Sequence, residues 1–505
     1  MDFPRASGIL LHPTSLPGPL PIGDLGPEAF AFIDFLNASG QTFWQTLPLG
    51  PVGYGGSPYA SYSAFAGNTL LISPQVLVDE KLLDESDLPA IESTISVRTD
   101  FELAETLKND LLAKAYVRFQ ESPNSAGSEF ENFKQAEGEW LDDYALFQSL
   151  KGANRGASWH EWDEPLRKRD ASELSRARSR LCDQIEAQKF FQFLFFRQWF
   201  ALKTYAHNRG VKLIGDLPIF VAHDSADVWI HPHLFKLTPA GLPTVVAGVP
   251  PDYFSATGQF WGNPLYDWET MKAEGFSWWI ARARQALRIS DAVRFDHFRG
   301  FSACWEIPAG DKTAEGGAWV EASGRELFLA MRDALGDLPI IAEDLGVITP
   351  DVDALRAEFG FPGMRVLQFG FGGDAEDRNL PHNYPWNAVV YTGTHDNNTT
   401  VGWFRDDSLP DSTRDANAVK REREFSLEYL DSNGHEIHWD FIRSALSSVA
   451  NTAVIPLQDV LGLGTEARMN VPNSSEGNWA WRFPAGSLTE ELAARLKNLT
   501  QLYGR

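Results

Sequence analysis

Eight short apolar runs recur along the chain, and each ends in glycine, proline or a polar cluster. Such runs are typical of buried strands whose polar ends lie in loops. Between most of them lie segments with helical periodicity, such as residues 276–287 and 324–336. Strands that alternate with helices predict a parallel sheet, and eight such units predict its closure into a barrel. The runs occupy residues 8–16, 43–50, 212–221, 291–298, 339–346, 364–371, 388–396 and 452–460.

One long segment interrupts this alternation. Residues 101–120, 129–150 and 182–210 have helical periodicity and charged faces, and they fall between the second and third runs. We therefore predict an α/β fold, a (β/α)8 TIM barrel with large, mostly helical insertions around the C-terminal face of the barrel. A doubly wound open sheet is the alternative arrangement of the same units.

The predicted division of the chain follows from this pattern. Residues 1–75 contain the first two strands and the loop after them, residues 76–200 form a mostly helical insertion, and residues 201–505 complete the barrel. The last part includes the loops of a candidate site and a closing C-terminal helix. Ser487 and Glu490 have the spacing of a capping box, which predicts that this helix starts at Ser487.

Composition excludes several classes of ligand. The net charge of −24 would repel nucleic acids and anionic membranes, whereas a neutral ligand such as a sugar is compatible with it. The two cysteines, Cys182 and Cys304, have neither disulfide nor metal spacing, and no signal segment is evident, so we expect a cytoplasmic protein. A metal site built from His223, Asp224, His231 and His233 is disfavoured, because closely spaced histidines in a loop are commonly structural.

Three of the apolar runs end in a carboxylate. Asp296, Glu343 and Asp396 each follow such a run directly. Any one of them alone is better explained as a helix cap or a turn residue. In a barrel, however, all strands deliver their C-terminal ends to one face, so the three acids are expected to converge. Because burying like charges together is unfavourable, their convergence indicates acid–base chemistry.

Retaining glycosyl transfer needs a carboxylate nucleophile and a carboxylic acid about 5 Å apart. Asp296 suits the nucleophile, because Arg294 lies on the same face of the strand and would keep it ionised. Glu343 suits the acid–base group. It follows an apolar run and adjoins Asp344, a setting that raises the pKa of a carboxyl group. Asp396 could then bind sugar hydroxyls and stabilise positive charge at the anomeric carbon.

Several long strings between residue 8 and about residue 482 are highly specific. They include GILLHPTSLPG, FWQTLPLGPVGYGGSPYASYSAFAGN, GDLPIFVAHDSADVW, AGVPPDYFSATGQFWGNPLYDW, VRFDHFRGF, IAEDLG, YTGTHDNNTTVGWF and LGLGTEARMNVP. Together they closely resemble the amylomaltases, 4-alpha-glucanotransferases that are related to plant disproportionating enzymes. The resemblance implies a transferase that moves a segment of an α-1,4-glucan to the 4-hydroxyl of glucose or another α-glucan, through a covalent glycosyl-enzyme intermediate.

The resemblance also implies roles for particular residues. Asp296 matches the nucleophile, Glu343 the acid–base residue and Asp396 the carboxylate that stabilises the transition state. Tyr59 would stack on a donor glucose, and Tyr54 matches an aromatic residue at a second glucan site. The other implied substrate-binding residues are Ser57, Asp216, Tyr253, Phe254, Gln259, Trp261, Arg294, His395 and Asn470.

The expected partners are α-1,4-glucans and malto-oligosaccharides as donor and acceptor, with glucose as a further acceptor. We expect no cofactor, no metal, no nucleic acid and no membrane, and a monomer or homodimer. The glycine pattern at residues 462–467 is a weak match to a nicotinamide-binding fingerprint, because Pro472 would cut short the helix that should follow. Two alternatives stay open: an α-glucan hydrolase of the amylase type, and a glucan-binding module without catalysis.

Overall fold

The fold is that of a computed structural model, which describes residues 3–89, 97–122, 126–251, 257–405, 416–472, 474 and 477–505. Apolar runs form most of its strands. In chain order these are β1 (Ala6–Leu10), β2 (Phe43–Gln45), β3 (Lys212–Leu217), β4 (Val245–Val249), β5 (Gln259–Pro264), β6 (Ala292–Phe295), β7 (Ala303–Pro308), β8 (Ala318–Glu321), β9 (Ile340–Ala342), β10 (Gly363–Val366), β11 (Ala388–Tyr391) and β12 (Thr452–Pro456).

Eight of these strands close into a barrel. Their order is β1-β12-β11-β10-β9-β6-β3-β2, and every neighbouring pair whose register is resolved is parallel. The barrel closes because β1 pairs with β12, from Ala6 opposite Thr452 to Leu10 opposite Pro456. Strands buried on both faces are mostly apolar, which is why the apolar runs predicted them. The predicted (β/α)8 barrel is confirmed, and the open-sheet alternative is wrong.

Helices surround the barrel and fill its insertions. They are α1 (Pro27–Ala38), α2 (Pro74–Asp79), α3 (Phe101–Glu121), α4 (Ala126–Ala153), α5 (Glu164–Arg167), α6 (Ala171–Arg180), α7 (Cys182–Asn208), α8 (Ala226–Ile230), α9 (Trp268–Ala273), α10 (Ser277–Ile289), α11 (Gly324–Leu335), α12 (Pro350–Glu358), α13 (Thr400–Arg405), α14 (Ala416–Leu430), α15 (Ile437–Ser447), α16 (Leu457–Val460) and α17 (Glu490–Leu502). Across the described ranges, no helix is both long and apolar enough to cross a membrane.

The chain between β2 and β3 contains six α-helices, α2 to α7, in its described residues. The aromatic stretch of α7 packs against α3 and α4: Phe190 stacks on Phe119 with 4.4 Å between ring centroids, and Phe193 lies 5.6 Å from Phe130. These contacts bury one face of each long helix. The C-terminal half of α7 then packs on the barrel, where Trp199 donates from Nε1 to the carbonyl oxygen of Ile289 at 2.9 Å.

A second, smaller sheet was not predicted from the sequence. Its strands run in the order β5-β4-β7-β8 and pair antiparallel, and they come from the chain segments that follow β3 and β6. All four residues of β8 are exposed, and so are Phe260 and Trp261 in β5. The apolar residues of β5 and β8 are exposed, so these strands lack the alternation of buried and exposed positions by which periodicity predicts a strand.

The start of the last helix also differs from the prediction. The residue that caps α17 is Thr489, whose hydroxyl accepts a hydrogen bond from the backbone N–H of Leu492 at 3.2 Å. Ser487 instead donates to the carbonyl oxygen of Pro484 at 2.7 Å and belongs to the preceding turn. The predicted start at Ser487 is therefore two residues too early, because Ser and Thr favour turns as well as caps.

The close approach of β1 to β2 gives a test of the barrel. Gly8 lies opposite Phe43, and a Cβ atom on residue 8 would lie 2.4 Å from the carbonyl oxygen of Phe43. We expect Gly8→Ala to lower the free energy of unfolding by about 1–3 kcal/mol, seen as a lower apparent melting temperature by calorimetry. Gly138→Ala in α4 is the control, since its Cβ meets nothing within 4 Å and should stabilise the helix by up to about 1 kcal/mol. Equal responses of the two variants would contradict the predicted contact.

Candidate active site

A buried ion-pair network joins the ends of β3 and β6. Asp216 and Arg294 lie opposite each other in the parallel register of these strands. Arg294 Nη1 donates to both carboxylate oxygens of Asp216 at 2.8 Å, and its Nη2 donates to Oδ1 of Asp296 at 2.7 Å. Burial disfavours the charge of Arg294, but the two carboxylates outweigh burial and raise its pKa. One permanently charged guanidinium therefore holds two acids in fixed positions.

Glu343, directly after β9, interacts electrostatically with Asp296 and Arg294 of this network. Its two oxygens accept hydrogen bonds from backbone N–H groups, Oε2 from His297 at 2.7 Å and Oε1 from Leu345 at 3.0 Å. Burial, reinforced by the charge of Asp296, raises the pKa of Glu343 to about 8, although Arg294 and the two N–H groups oppose that shift. Glu343 is thus protonated at neutral pH.

The predicted reason for this shift is partly wrong. Asp344 was expected to supply the like charge, but its side chain is buried in a separate cluster. There Oδ1 accepts from the backbone N–H of Met364 at 2.7 Å, while Oδ2 lies 3.0 Å from Arg378 and 3.3 Å from Arg365. The like charge comes instead from Asp296, which follows the neighbouring strand β6. Successive residues leave a strand end in different directions, so sequence adjacency misidentified the partner.

The third acid, Asp396, belongs to the loop after β11. Asn470 donates from Nδ2 to Oδ1 of Asp396 at 2.7 Å, and His395 Nε2 lies 3.4 Å from the same oxygen. The backbone N–H of Asn470 also donates to the carbonyl oxygen of His395 at 3.0 Å. These contacts fix the carboxylate of Asp396 while leaving 45% of its side chain exposed. Asp396 is thereby accessible from the cleft.

Tyr59 connects the two halves of the site. Its hydroxyl donates to Oδ2 of Asp216 at 2.6 Å, and its ring stacks on His395 with 5.1 Å between centroids and 17° between planes. Trp479 lies against the same two rings, 5.6 Å from Tyr59 and 5.9 Å from His395. The structure therefore gives Tyr59 a positioning contact that the resemblance did not mention.

One cleft of about 1720 Å³ at the C-terminal end of the barrel is lined by Tyr59, Arg294, Asp296, Glu343, His395, Asp396, Asn470 and Trp479. Asp216 is not among its lining residues, because its side chain is fully buried behind Arg294 and Tyr59. The cleft also contains Ser57, Gln259 and Trp261. Trp261 donates from Nε1 to Oε1 of Gln259 at 3.0 Å, and its indole lies edge-on to the ring of His297 with 4.7 Å between centroids. Tyr253 and Phe254 lie outside the described residues, as does the side chain of Tyr54.

Two site residues escaped the sequence reasoning. His297 has a left-handed backbone, with φ 49°, and its N–H is aimed at Glu343. Burial lowers the pKa of its ring to about 4, so the ring is neutral. Trp479 contacts the site only through the tertiary packing just described. Adjacency to Asp296 could have suggested His297, whereas nothing in the local sequence distinguishes Trp479 from a core tryptophan.

The histidines that suggested a metal site are separated by other contacts. His223 Nε2 lies 2.7 Å from the carbonyl oxygen of Gly241, Asp224 pairs with Lys151 at 2.5 Å, and His233 lies 3.1 Å from Glu274. In the part of the chain that the structure describes, no three His, Cys, Asp or Glu side chains form a group that could hold a metal ion.

A charged Asp296 beside a protonated Glu343 is the arrangement that retaining glycosyl transfer requires.

Comparison with known proteins gives a consistent result. A family described as 4-alpha-glucanotransferase matches residues 11–489. A 4-alpha-glucanotransferase from Synechocystis sp. is 52% identical over 506 residues, which cover 99% of this chain and 98% of that protein. Another from Thermus thermophilus is 50% identical over 510 residues, 99% of each protein. The solved structure of an amylomaltase from Streptococcus agalactiae in complex with acarbose has a TM-score of 0.93, at 39% identity and 99% coverage of each chain.

The raised pKa of Glu343 predicts a pH-dependent stability. The pKa of an ordinary glutamate is about 4.5, and that of Glu343 in the folded protein is about 8. The folded state therefore binds a proton that the unfolded state has released between these pH values. The stability that Glu343 contributes is fully present below pH 4.5 and is lost as the pH rises through about 8. We expect Glu343→Gln to gain stability relative to the parent across this window, by about 1.4 kcal/mol per pH unit. Melting temperatures between pH 5 and 9 test this.

A surface variant controls for general effects of pH. Glu139→Gln changes an exposed residue of α4, so its stability should follow that of the parent at every pH. The glutamine of Glu343→Gln can accept from only one of the two N–H groups, but that loss adds an offset that does not vary with pH. A stability difference between Glu343→Gln and the parent that stays constant from pH 5 to 9 would refute the prediction.

Proposed function

The chain belongs to the 4-alpha-glucanotransferase family, and we propose that Asp296, Glu343 and Asp396 carry out its reaction in the cleft described above. The enzyme transfers a segment of an α-1,4-glucan to another α-glucan. The observation that carries the assignment of residues is electrostatic: Arg294 holds Asp296 at 2.7 Å, while Glu343, beside it, has a pKa of about 8.

Asp296 acts as the nucleophile. Its carboxylate attacks C1 of the donor glucosyl unit, and the bond between C1 and the leaving oxygen breaks as the ester forms. Arg294 binds Oδ1 of Asp296, which fixes the orientation of the carboxylate before the substrate arrives. The same contact places a cation 2.7 Å from the attacking carboxylate.

Glu343 acts first as the acid and then as the base. It gives its proton to the departing 4-oxygen of the leaving glucan, and in the second half-reaction it takes a proton from the 4-hydroxyl of the acceptor. The two backbone N–H groups of His297 and Leu345 support this cycle, because they stabilise the carboxylate that Glu343 becomes after the first step.

Asp396 stabilises the oxocarbenium-like transition state. Asn470 fixes its carboxylate, and its partial exposure supports direct contact with hydroxyls of the reacting sugar. Asp216 positions Arg294 and Tyr59, and His395 completes the binding site for that sugar. Asn470 would lie near the acceptor.

Transfer must exceed hydrolysis for such an enzyme to build new glucans. Water at about 55 M exceeds an acceptor at about 1 mM by nearly five decades, a ratio that corresponds to roughly 6 kcal/mol. We assign this preference to cleft residues that orient the acceptor and exclude water, namely Trp261, Gln259 and Ser57 with Tyr253 and Phe254. Tyr54 is assigned to a second glucan site by resemblance alone.

Three further attributes belong to the same proposal. Glucose serves as an acceptor as well as malto-oligosaccharides, and the protein is a monomer or homodimer. A cytoplasmic location is supported by the free thiols of Cys182 and Cys304, since cysteines stay reduced in that compartment. The chain is similar to 4-alpha-glucanotransferases over its full length, and this similarity favours a transferase over the alternative of a hydrolase.

Incubation with maltotriose tests the assignment of the nucleophile. We expect the parent to produce glucose together with longer malto-oligosaccharides, and Asp296→Asn to lose this activity by roughly 10⁴-fold, because the charge that attacks C1 is removed. Product profiles by chromatography measure both. Asp333→Asn, an exposed residue of α11, is the control and should match the parent. Full activity of Asp296→Asn would exclude Asp296 as the nucleophile.

A donor with a fluoride leaving group tests Glu343 separately. Fluoride departs with little help from an acid, so we expect Glu343→Ala to release the first equivalent of fluoride from α-maltotriosyl fluoride at a rate within about 10-fold of the parent's, while losing at least about 10²-fold with maltotriose. The first turnover is measured, because the second half-reaction needs Glu343 as the base and would slow steady-state release. Asp296→Asn should fail with both donors. Equal losses of Glu343→Ala with the two donors in the first turnover would show that Glu343 does not protonate the leaving group.

A further inference from the structure

Trp319 is an exposed tryptophan in the wall of the catalytic cleft. It lies on β8, the edge strand of the smaller sheet, with 38% of its surface exposed. The cleft that contains Asp296 and Glu343 also contains Trp319. Neither the proposed mechanism nor the family resemblance uses this residue. A large aromatic surface in the wall of a binding cleft suggests a contact with ligand.

Two neighbours hold the indole in place. The guanidinium carbon of Arg299 lies 3.7 Å from the centroid of the Trp319 ring. Trp305, which faces Trp319 across β7 and β8, packs edge-on with 5.3 Å between centroids and 65° between planes. Trp305 is itself fixed, because its Nε1 donates to the carbonyl oxygen of Ala314 at 2.8 Å. Trp319 is therefore pre-organised and would lose little side-chain entropy when a ligand stacks on it.

Arg299 ties this tryptophan to the loop that follows Glu343. It is buried, and its Nη1 donates to the carbonyl oxygen of Val347 at 2.8 Å and to Oγ1 of Thr349 at 3.0 Å. Val347 is 56% exposed and lines the same cleft. It lies four residues after Glu343, a separation that spans at most about 14 Å of chain. Arg299 thus links Trp319 to an exposed apolar residue of the loop that begins at Glu343, and both residues line the cleft.

We propose that Trp319, supported by Arg299, is a stacking platform for a glucosyl unit of an α-1,4-glucan on the leaving-group side of the cleavage point. The side follows from the chain path, because Glu343 protonates the leaving group and its loop leads to Val347. The apolar face of a pyranose ring matches an indole in size and polarity. The guanidinium of Arg299 is already covered by the indole of Trp319, so the platform offers a ligand an apolar face rather than a charge. A neutral glucan suits such a face. This inference rests on the proposed function and extends it to longer substrates.

The length of the donor provides the test. A short donor such as maltotriose does not reach a distant platform, whereas maltoheptaose does. We expect Trp319→Ala to keep kcat/KM for maltotriose within about 2-fold of the parent and to lower kcat/KM for maltoheptaose by about 10-fold, chiefly through KM. Trp319→Phe should recover most of the lost activity, because a phenyl ring keeps an apolar face for stacking.

A second exposed tryptophan supplies the matched control. Trp386, 55% exposed, precedes β11 and so lies at the opposite end of the barrel from the cleft. Trp386→Ala should match the parent with both donors. An unchanged ratio of the two kcat/KM values in Trp319→Ala would overturn the platform, and so would equal losses accompanied by a lower melting temperature, which would indicate packing alone. A parent without activity on either donor would instead overturn the proposed function.

Discussion

The buried guanidinium of Arg294 is the interaction on which the rest of the site depends. Burial disfavours a cation unless hydrogen-bonded partners compensate its charge, and Arg294 has two carboxylates, Asp216 from β3 and Asp296 beyond the end of its own strand. Two carboxylates and one cation leave one negative charge in the site. A third carboxylate nearby would add another, so burial and this residual charge together keep Glu343 protonated. The proposed nucleophile thus has a cation in direct contact, whereas burial and the charge of Asp296 keep the proton on the proposed acid.

The sequence predicts the barrel well because its strands obey a simple physical rule. A strand buried on both faces is mostly apolar, so each barrel strand lies at an apolar run, including one as short as Phe43–Gln45. The smaller sheet obeys no such rule. Its edge strand Ala318–Glu321 is wholly exposed, and its pairing joins segments separated by β6. Only tertiary structure reveals strands of that kind.

The site residues likewise divide into those that the sequence predicts and those that only tertiary structure reveals. Asp296 and Glu343 could be found because each ends a strand, and the barrel brings strand ends together. The sequence misidentified the like charge beside Glu343, however, since it reads Asp344 as a neighbour while the fold turns Asp344 toward Arg365 and Arg378. Trp479 was missed for a related reason, because its role depends on rings that are distant in sequence. Chain order predicts which groups reach the site, and packing decides which of them interact.

In the proposed mechanism, the charge balance around Arg294 allows one carboxyl group to serve as acid and then as base. Once Asp296 is bonded to C1 it carries no charge, so one cause of the high pKa of Glu343 disappears. Arg294 and the N–H groups of His297 and Leu345 remain, and all three favour the carboxylate. Glu343, having given up its proton, is then stable as an anion until an acceptor hydroxyl arrives. Release of the product restores the charge on Asp296 and with it the affinity of Glu343 for a proton.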